Sequence, residues 1–92
     1  MLQSCAIVPT AHASRYLQQL CKHWSHKFQT EFTADAGRIA LPLGEARLAA
    51  EADALTIDLK AKDDADLAVF KDVVAQHVER FAFQENLVFE WS

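Results

Sequence analysis

Hydrophobic and polar positions alternate along this chain with two different periods, and each change of period marks an element. Ser4 to Val8 predicts a short strand with Cys5 and Ile7 on one side. Pro9-Thr10 ends it, and Thr10 is placed to cap a helix over 11–27. At about 100° per residue, Ala13, Tyr16, Leu17, Leu20, Cys21 and Trp24 fall on one face of that helix, which is therefore amphipathic.

The period then drops to two. Phe28, Thr30 and Phe32 alternate with Gln29, Glu31 and Thr33; Ile39, Leu41 and Leu43 follow; then Ala46, Leu48 and Ala50; then Leu55, Ile57 and Leu59. Alternation of this kind predicts a four-stranded antiparallel meander with one solvated face. Asp35-Ala36-Gly37 predicts a turn with Gly37 at positive φ, and Gly44 a second turn. Asp63, Asp64 and Asp66 favour a helix N-terminus, after which Leu67, Phe70, Val74, His77, Val78 and Phe81 recur at helical spacing to about Ala82. Leu87, Phe89 and Trp91 alternate with Val88 and Glu90 as a last strand. The order strand, helix, four strands, helix, strand predicts an α+β fold. It is a two-layer sandwich, a mostly antiparallel sheet with two amphipathic helices on one face.

Length and composition narrow the picture to one domain, residues 1–92, with a hydrophobic content of 51%. A chain of this size buries roughly 60–70% of its unfolded surface, enough for one core. A shallow surface site or an interface therefore fits better than a deep enclosed one. No apolar run approaches the roughly 20 residues of a membrane span. Met1-Leu2-Gln3-Ser4 lacks the regions of a signal peptide. The expectation is a cytoplasmic protein with Cys5 and Cys21 reduced and buried, and with no cofactor required for folding.

Charge adds one asymmetry. Of the 9 Lys and Arg, only Arg15, Lys22 and Lys27 lie in residues 1–30, yet all 13 Asp and Glu lie beyond them, for a net charge of −4. The net sign argues against nonspecific nucleic-acid binding. The acid-free first third contrasts with an acidic remainder.

Candidate chemistry follows that asymmetry. The non-core side of the first helix carries His12, Arg15, Gln19, Lys22, His23 and His26. His23 and His26, three apart, share a face at about 5–6 Å between Cβ atoms and can share a metal, with a carboxylate as a third ligand. His12 lies about 16 Å up the helix and cannot join that ion. The same stripe can hold an anion, since Arg15, Lys22 and the histidines are all donors. The plainer alternative is a solvated face whose cations, Lys22, His26 and Lys27, offset the helix dipole. His77 lies on the apolar side of the second helix with Phe70, Val73, Val74 and Phe81. Buried there it must hydrogen-bond and its pKa must fall. It is either a satisfied core residue or an acid–base group or ligand at the helix–helix seam. Tyr16, Trp24, Trp91 and the Phe81–Phe89 stretch fit core faces. No paired-carboxylate, triad or dinucleotide-binding pattern is present.

Val8-Pro9-Thr10-Ala11-His12-Ala13-Ser14-Arg15-Tyr16-Leu17, Leu20-Cys21-Lys22-His23-Trp24-Ser25-His26-Lys27, and Glu79-Arg80-Phe81-Ala82-Phe83 with Phe89-Glu90-Trp91 together resemble one bacterial family, domain of unknown function 2218. The resemblance covers essentially the whole chain. It implies a small bacterial domain of this length, and similar domains attached to siderophore-interacting flavoproteins imply a link with iron handling. It carries over no catalytic residue.

Three functions compete. An accessory or ligand-binding module would use the His12–Lys27 face, with His77 or Arg80 near it, for a metal, a chelate or an anion. An interaction module would form a homodimer or dock on a larger enzyme such as a siderophore-related flavoprotein, through charge complementarity and sheet edges. An enzyme would use His77 or His23 as a general base. Neither nucleic acid nor membrane is an expected partner.

Overall fold

The period-2 segments assemble into one sheet and the period-3.6 segments lie across it. The computed structural model describes residues 2–82 and 85–92. Its elements are β1 (Leu2–Pro9), α1 (Ala13–Ser25), β2 (Gln29–Phe32), β3 (Ala36–Leu41), β4 (Gly44–Ala50), β5 (Ala54–Ala61) and α2 (Asp64–Phe81). The strands pair in the order β1-β5-β4-β3-β2, every neighbour antiparallel. The meander runs from β2 to β5, and β1 closes the far side against β5, with Leu2 opposite Ala61 and Pro9 opposite Ala54.

Both helices cover the same face of this sheet. Helix α1 packs over β2 to β5, and α2 over β1, β4 and β5. Helix α1 buries Ala13, Tyr16, Leu17, Leu20, Cys21 and Trp24, the six positions its periodicity picks out. They meet Ile39, Ala46, Leu48, Leu55, Ile57 and Leu59 from alternate positions of β3, β4 and β5. Helix α2 adds Leu67, Phe70, Val74 and Val78, and Phe70 is fully buried. Asp63 caps α2, its side chain accepting from the Asp66 N–H at 2.9 Å. The opposite face of the sheet is polar. There Arg38 and Arg47 stand directly across from one another and share Glu45, at 2.7 and 3.1 Å.

Several local expectations change. In β1 the buried set is Ser4, Ala6 and Val8, so Cys5 and Ile7 face outward and Ile7 is 64% exposed. The register with β5 decides this, because Ala6 stands opposite Ile57 and Val8 opposite Leu55 on the helix-covered face. Cys5 is accordingly half-buried, whereas Cys21 is buried and its thiol is pushed up to about 11 by burial; both are free. Helix α1 starts at Ala13 with no side-chain cap. Thr10 instead accepts from the His12 N–H at 3.1 Å and turns its own hydroxyl to Glu85. The positive φ falls on Gly44 (φ 151°), not Gly37. Gly37 serves close approach: a Cβ there would lie 2.7 Å from the Cys21 sulfur and 3.4 Å from Leu17.

The C-terminal segment, expected as a strand, runs extended along β1 with a single bridge from Trp91 to Ala6. The Ser92 N–H donates to the Cys5 carbonyl at 2.9 Å, and the Ser4 hydroxyl donates to the Ser92 carbonyl at 2.7 Å. Glu85 anchors its start. The buried Tyr16 hydroxyl donates to that carboxylate, and the Thr10 hydroxyl lies 3.1 Å from both of its oxygens. Phe83, grouped above with the aromatic stretch, lies outside the described residues, as does Met1.

Gly37→Ala should destabilise the domain by about 1–3 kcal/mol in urea denaturation, because the new methyl overpacks the α1–β3 contact. Cys21→Ala removes the obstructing sulfur, so the two substitutions together should cost less than their sum. Simple additivity would show that the contact is not where the strain falls.

The Tyr16 hydrogen bond holds the Glu85 carboxyl below its ordinary 4.5, with Thr10 and His12 assisting against burial. A depressed carboxylate contributes stability that is full above 4.5 and is lost as pH falls through the folded value. Glu85→Gln should therefore flatten the acid side of the stability curve. It should also speed amide exchange at Ser92 while leaving the helices protected. An unchanged acid limb would remove Glu85 as the anchor.

Candidate functional site

The end of α1 is where the two helices and the sheet leave a gap. After Ser25 the chain reverses in a tight turn, the Lys27 and Phe28 N–H groups both donating to the Trp24 carbonyl at 3.1 and 2.9 Å. That turn carries His26, Lys27 and Phe28 toward the β3–β4 hairpin, whose tip is Leu41, Pro42 and Leu43. Val73 and His77 of α2 close the other side. The result is a half-open cleft of about 510 Å³ lined by these residues with His23 and Trp24. Its hairpin wall is wholly apolar. Its helix wall carries His23, His26, Lys27 and His77, and no lining residue is Asp or Glu.

The imidazoles of His23 and His77 lie 5.2 Å apart between ring centroids, and His77 lies 4.9 Å from Trp24. Phe81 meets His23 edge-on at 6.1 Å. His77 is half-buried in the seam rather than enclosed in the core. Its Nδ1 lies 2.7 Å from the Val73 carbonyl one turn earlier. A carbonyl only accepts, so Nδ1 carries the proton and Nε2 is the free ring nitrogen. The depressed pKa falls on His23. Burial lowers it first, then the charges of His77, Arg80, His26 and Lys27. Two of those neighbours, Arg80 and Lys27, carry permanent positive charge, and no lining carboxylate offsets it, so the cleft is an electropositive spot on an acidic protein.

The sequence-derived candidates therefore divide. His23, His26 and His77 line one cleft, and Arg80 acts on His23 from the next turn of α2. Lys22 is exposed and does not line the cleft. His12 and Arg15 stand nearer the start of α1, where the His12 ring packs 6.2 Å from Tyr16. The imidazole packed against His23, at a tilt, is His77 from the other helix rather than His26. Among the described residues no three His, Cys, Asp or Glu side chains converge in a way that could hold a metal ion. Lys27 and the hairpin tip, not singled out as site residues, are the additions. Their signal was the acid-free run over 1–30, which includes Lys27, and the apolar Leu41-Pro42-Leu43 just before Gly44. A wider, shallower depression of about 600 Å³ includes Glu31, Arg38 and Arg47, whose arginines are already paired with Glu45.

The fold and cleft define a class: an α+β two-layer domain with a basic, partly aromatic cleft at the end of its first helix. The chain belongs to the family DUF2218, described as an uncharacterized protein conserved in bacteria, whose model matches residues 5–92. It is similar to the NMR structure of PA4090 from Pseudomonas aeruginosa at 38% identity and a TM-score of 0.84, covering 100% of this chain and 96% of that one. No curated protein matches it. No helix among the described residues is long and apolar enough to cross a membrane.

The sign of the His23 shift gives a stability test. Its folded value lies below the ordinary 6.5, so the unfolded chain binds the proton first as pH falls. Stability should drop as pH falls below 6.5 and stop dropping once the folded ring protonates. His23→Gln should lose less thermal stability than the parent between pH 7.5 and 5.5, measured by calorimetry. An equal loss in both proteins would place His23 outside the electropositive cluster.

Proposed function

We propose that this protein is a small cytoplasmic ligand-binding or accessory module whose cleft holds a compact anion with apolar or aromatic character. One observation carries the reading: His23, His26, Lys27 and His77 come from two segments to one cleft that contains no carboxylate and is walled by Trp24, Phe28 and the Leu41-Pro42-Leu43 tip. The Lys27 ammonium, with the Arg80 guanidinium close to His23 and no carboxylate in the lining, attracts an anion and disfavours a free metal cation. The apolar wall rewards a ligand that is more than a bare ion. Iron chelates built on aromatic oxygen donors have this chemistry, which is how a link with siderophore handling would operate. The cleft lining holds no Ser, Cys, Asp or Glu beside the imidazoles and Lys27, which favours binding over catalysis.

A second reading rests on β2. Its four residues form an outer edge of the sheet, whereas β1 is partly covered by the C-terminal segment. Pairing there would make a homodimer or a docking contact with a siderophore-related flavoprotein.

Gallium(III) tris-catecholate, a diamagnetic stand-in for the ferric chelate, tests the first reading by NMR titration. The expected shifts cluster on His23, Trp24, Lys27, Leu43 and His77. Lys27→Glu, at an exposed position, should weaken them about tenfold, roughly the 1.4 kcal/mol of a charge-assisted contact. Shifts concentrated on the β2 edge, or a complete lack of response, would move the function away from the cleft.

A further inference from the structure

The two walls of the cleft differ in kind. The β3–β4 tip presents only Leu41, Pro42 and Leu43, while the helix side presents His23, His26, Lys27 and His77 around the Trp24 and Phe28 rings. A ligand that satisfies both walls has a flat apolar body and one anionic edge. Carboxylate-bearing aromatics are the simplest such molecules. The volume of about 510 Å³ accommodates a two-ring acid.

The hydrogen bonding of His77 adds a proton to this picture. Its Nδ1–H is committed to the Val73 carbonyl at 2.7 Å, inside a continuous helical turn. Nε2 therefore meets the cleft as a lone pair, which repels a carboxylate oxygen. A favourable contact forms only if one further proton sits between Nε2 and that oxygen, donated by an imidazolium or carried in by the carboxylic acid. The basic groups in and beside the cleft are His23 on α1, His26 and Lys27 on the following turn, and Arg80 on α2, with none from the hairpin. Asp72 and Glu79 of α2 are exposed and stand outside the lining, so no lining carboxylate holds the proton beforehand. The incoming anion supplies the missing negative charge.

We propose that the cleft captures a planar aromatic carboxylate together with one proton, the carboxylate seating on His77 Nε2 beside His23 and Lys27 while the ring packs on Phe28 and the Leu41-Pro42-Leu43 tip. This rests on the anion-binding reading above and specifies its ligand class and its proton stoichiometry. Charge balances: a monoanion and a proton from solvent enter, and the occupied cleft gains no net charge. Binding then strengthens with acidity, so uptake and release follow local pH.

The probe is 2-naphthoate, measured by titration calorimetry on the full chain in two buffers of different ionisation enthalpy. The expected result above pH 7 is uptake of about one proton per ligand and an affinity that rises about tenfold per unit fall in pH. Cyclohexanecarboxylate, with the same charge and no aromatic ring, should bind about tenfold more weakly. Naphthalene-2-methanol, with the ring and no charge, should show no proton uptake. His77→Gln should weaken naphthoate about tenfold and abolish the pH slope, and His23→Gln should keep the slope with weaker binding. Nitrogen-15 spectra of His77 provide a readout independent of affinity. They should show an Nδ1-protonated ring before ligand and a hydrogen-bonded Nε2 after it. Naphthoate binding with no proton uptake, or a slope that survives His77→Gln, would overturn this proposal while leaving the anion-binding reading intact. No cleft response to naphthoate or to the gallium chelate would overturn both.

Discussion

The structure depends on one matched length. Because β1 lies at one side of the sheet and β2 at the other, the segment between them must cross every strand. Helix α1 has 13 residues, about 20 Å at 1.5 Å per residue. Four gaps between five strands come to about 19 Å. The helix therefore delivers the chain to the start of β2 after one tight reversal, and its apolar face is pressed onto β3, β4 and β5 along the way. Gly37 shows how closely the two layers are set, since even a methyl group on β3 would run into Cys21. A fully buried Leu17 and Leu20 on the helix and Ile57 and Leu59 on the sheet supply the apolar area that makes this crossing favourable.

The cleft is a consequence of that crossing. Helix α1 reaches its last turn beside α2, and the chain has to reverse immediately to enter β2. Side chains of the last turn cannot all lie over the sheet, so His23 meets α2, while His26 and Lys27 project around the reversal. The hairpin tip at Pro42 and Leu43 extends past the helix end and leaves its apolar surface half-covered. A basic helix end and an apolar hairpin tip are thus brought together by the same geometry that closes the core. The placement of acids reinforces the contrast. With every Asp and Glu after residue 30, the end of α1 brings no carboxylate to the cleft, and none lines it from α2 or the hairpin.

Much of this was legible because burial on one face leaves a period in the sequence. The six buried positions of α1, the alternation through Leu55, Ile57 and Leu59, and the acidic start of α2 each follow from local pattern. What local pattern cannot carry is pairing. Whether Cys5 and Ile7 or Ala6 and Val8 face the core depends on the register of β1 against β5, and both alternatives are apolar. Gly37 looked like a turn residue because the glycine spacing marks a break, whereas its use is the approach of a helix distant in sequence. The site shows the same limit. His23 and His26 share a helix face and were readable as neighbours. The contact of His23 with His77 arises only when α1 and α2 dock. Glu85, unremarked among the acids, becomes a tail anchor because Thr10 and Tyr16 are turned toward it from the start of α1.

The local field decides between the two ligands that a histidine cluster can hold. An imidazole binds a cation through a lone pair and an anion through a proton. Helix-borne His77 has one nitrogen of each kind, with the proton directed at Val73 and the lone pair left over. Taken alone, that arrangement resembles a metal ligand steadied by a backbone carbonyl. Its surroundings point the other way. A divalent cation between His23 and His77 would face Arg80, His26 and Lys27, with no carboxylate in the cleft to offset them. The same groups that burden a metal stabilise an anion, and after burial they are what lowers the pKa of His23. Two imidazoles at metal-sharing distance therefore do not by themselves make a metal site. The charges within reach of them set the sign of what they hold, and here those are the Lys27 ammonium and the Arg80 guanidinium, with no carboxylate in the lining.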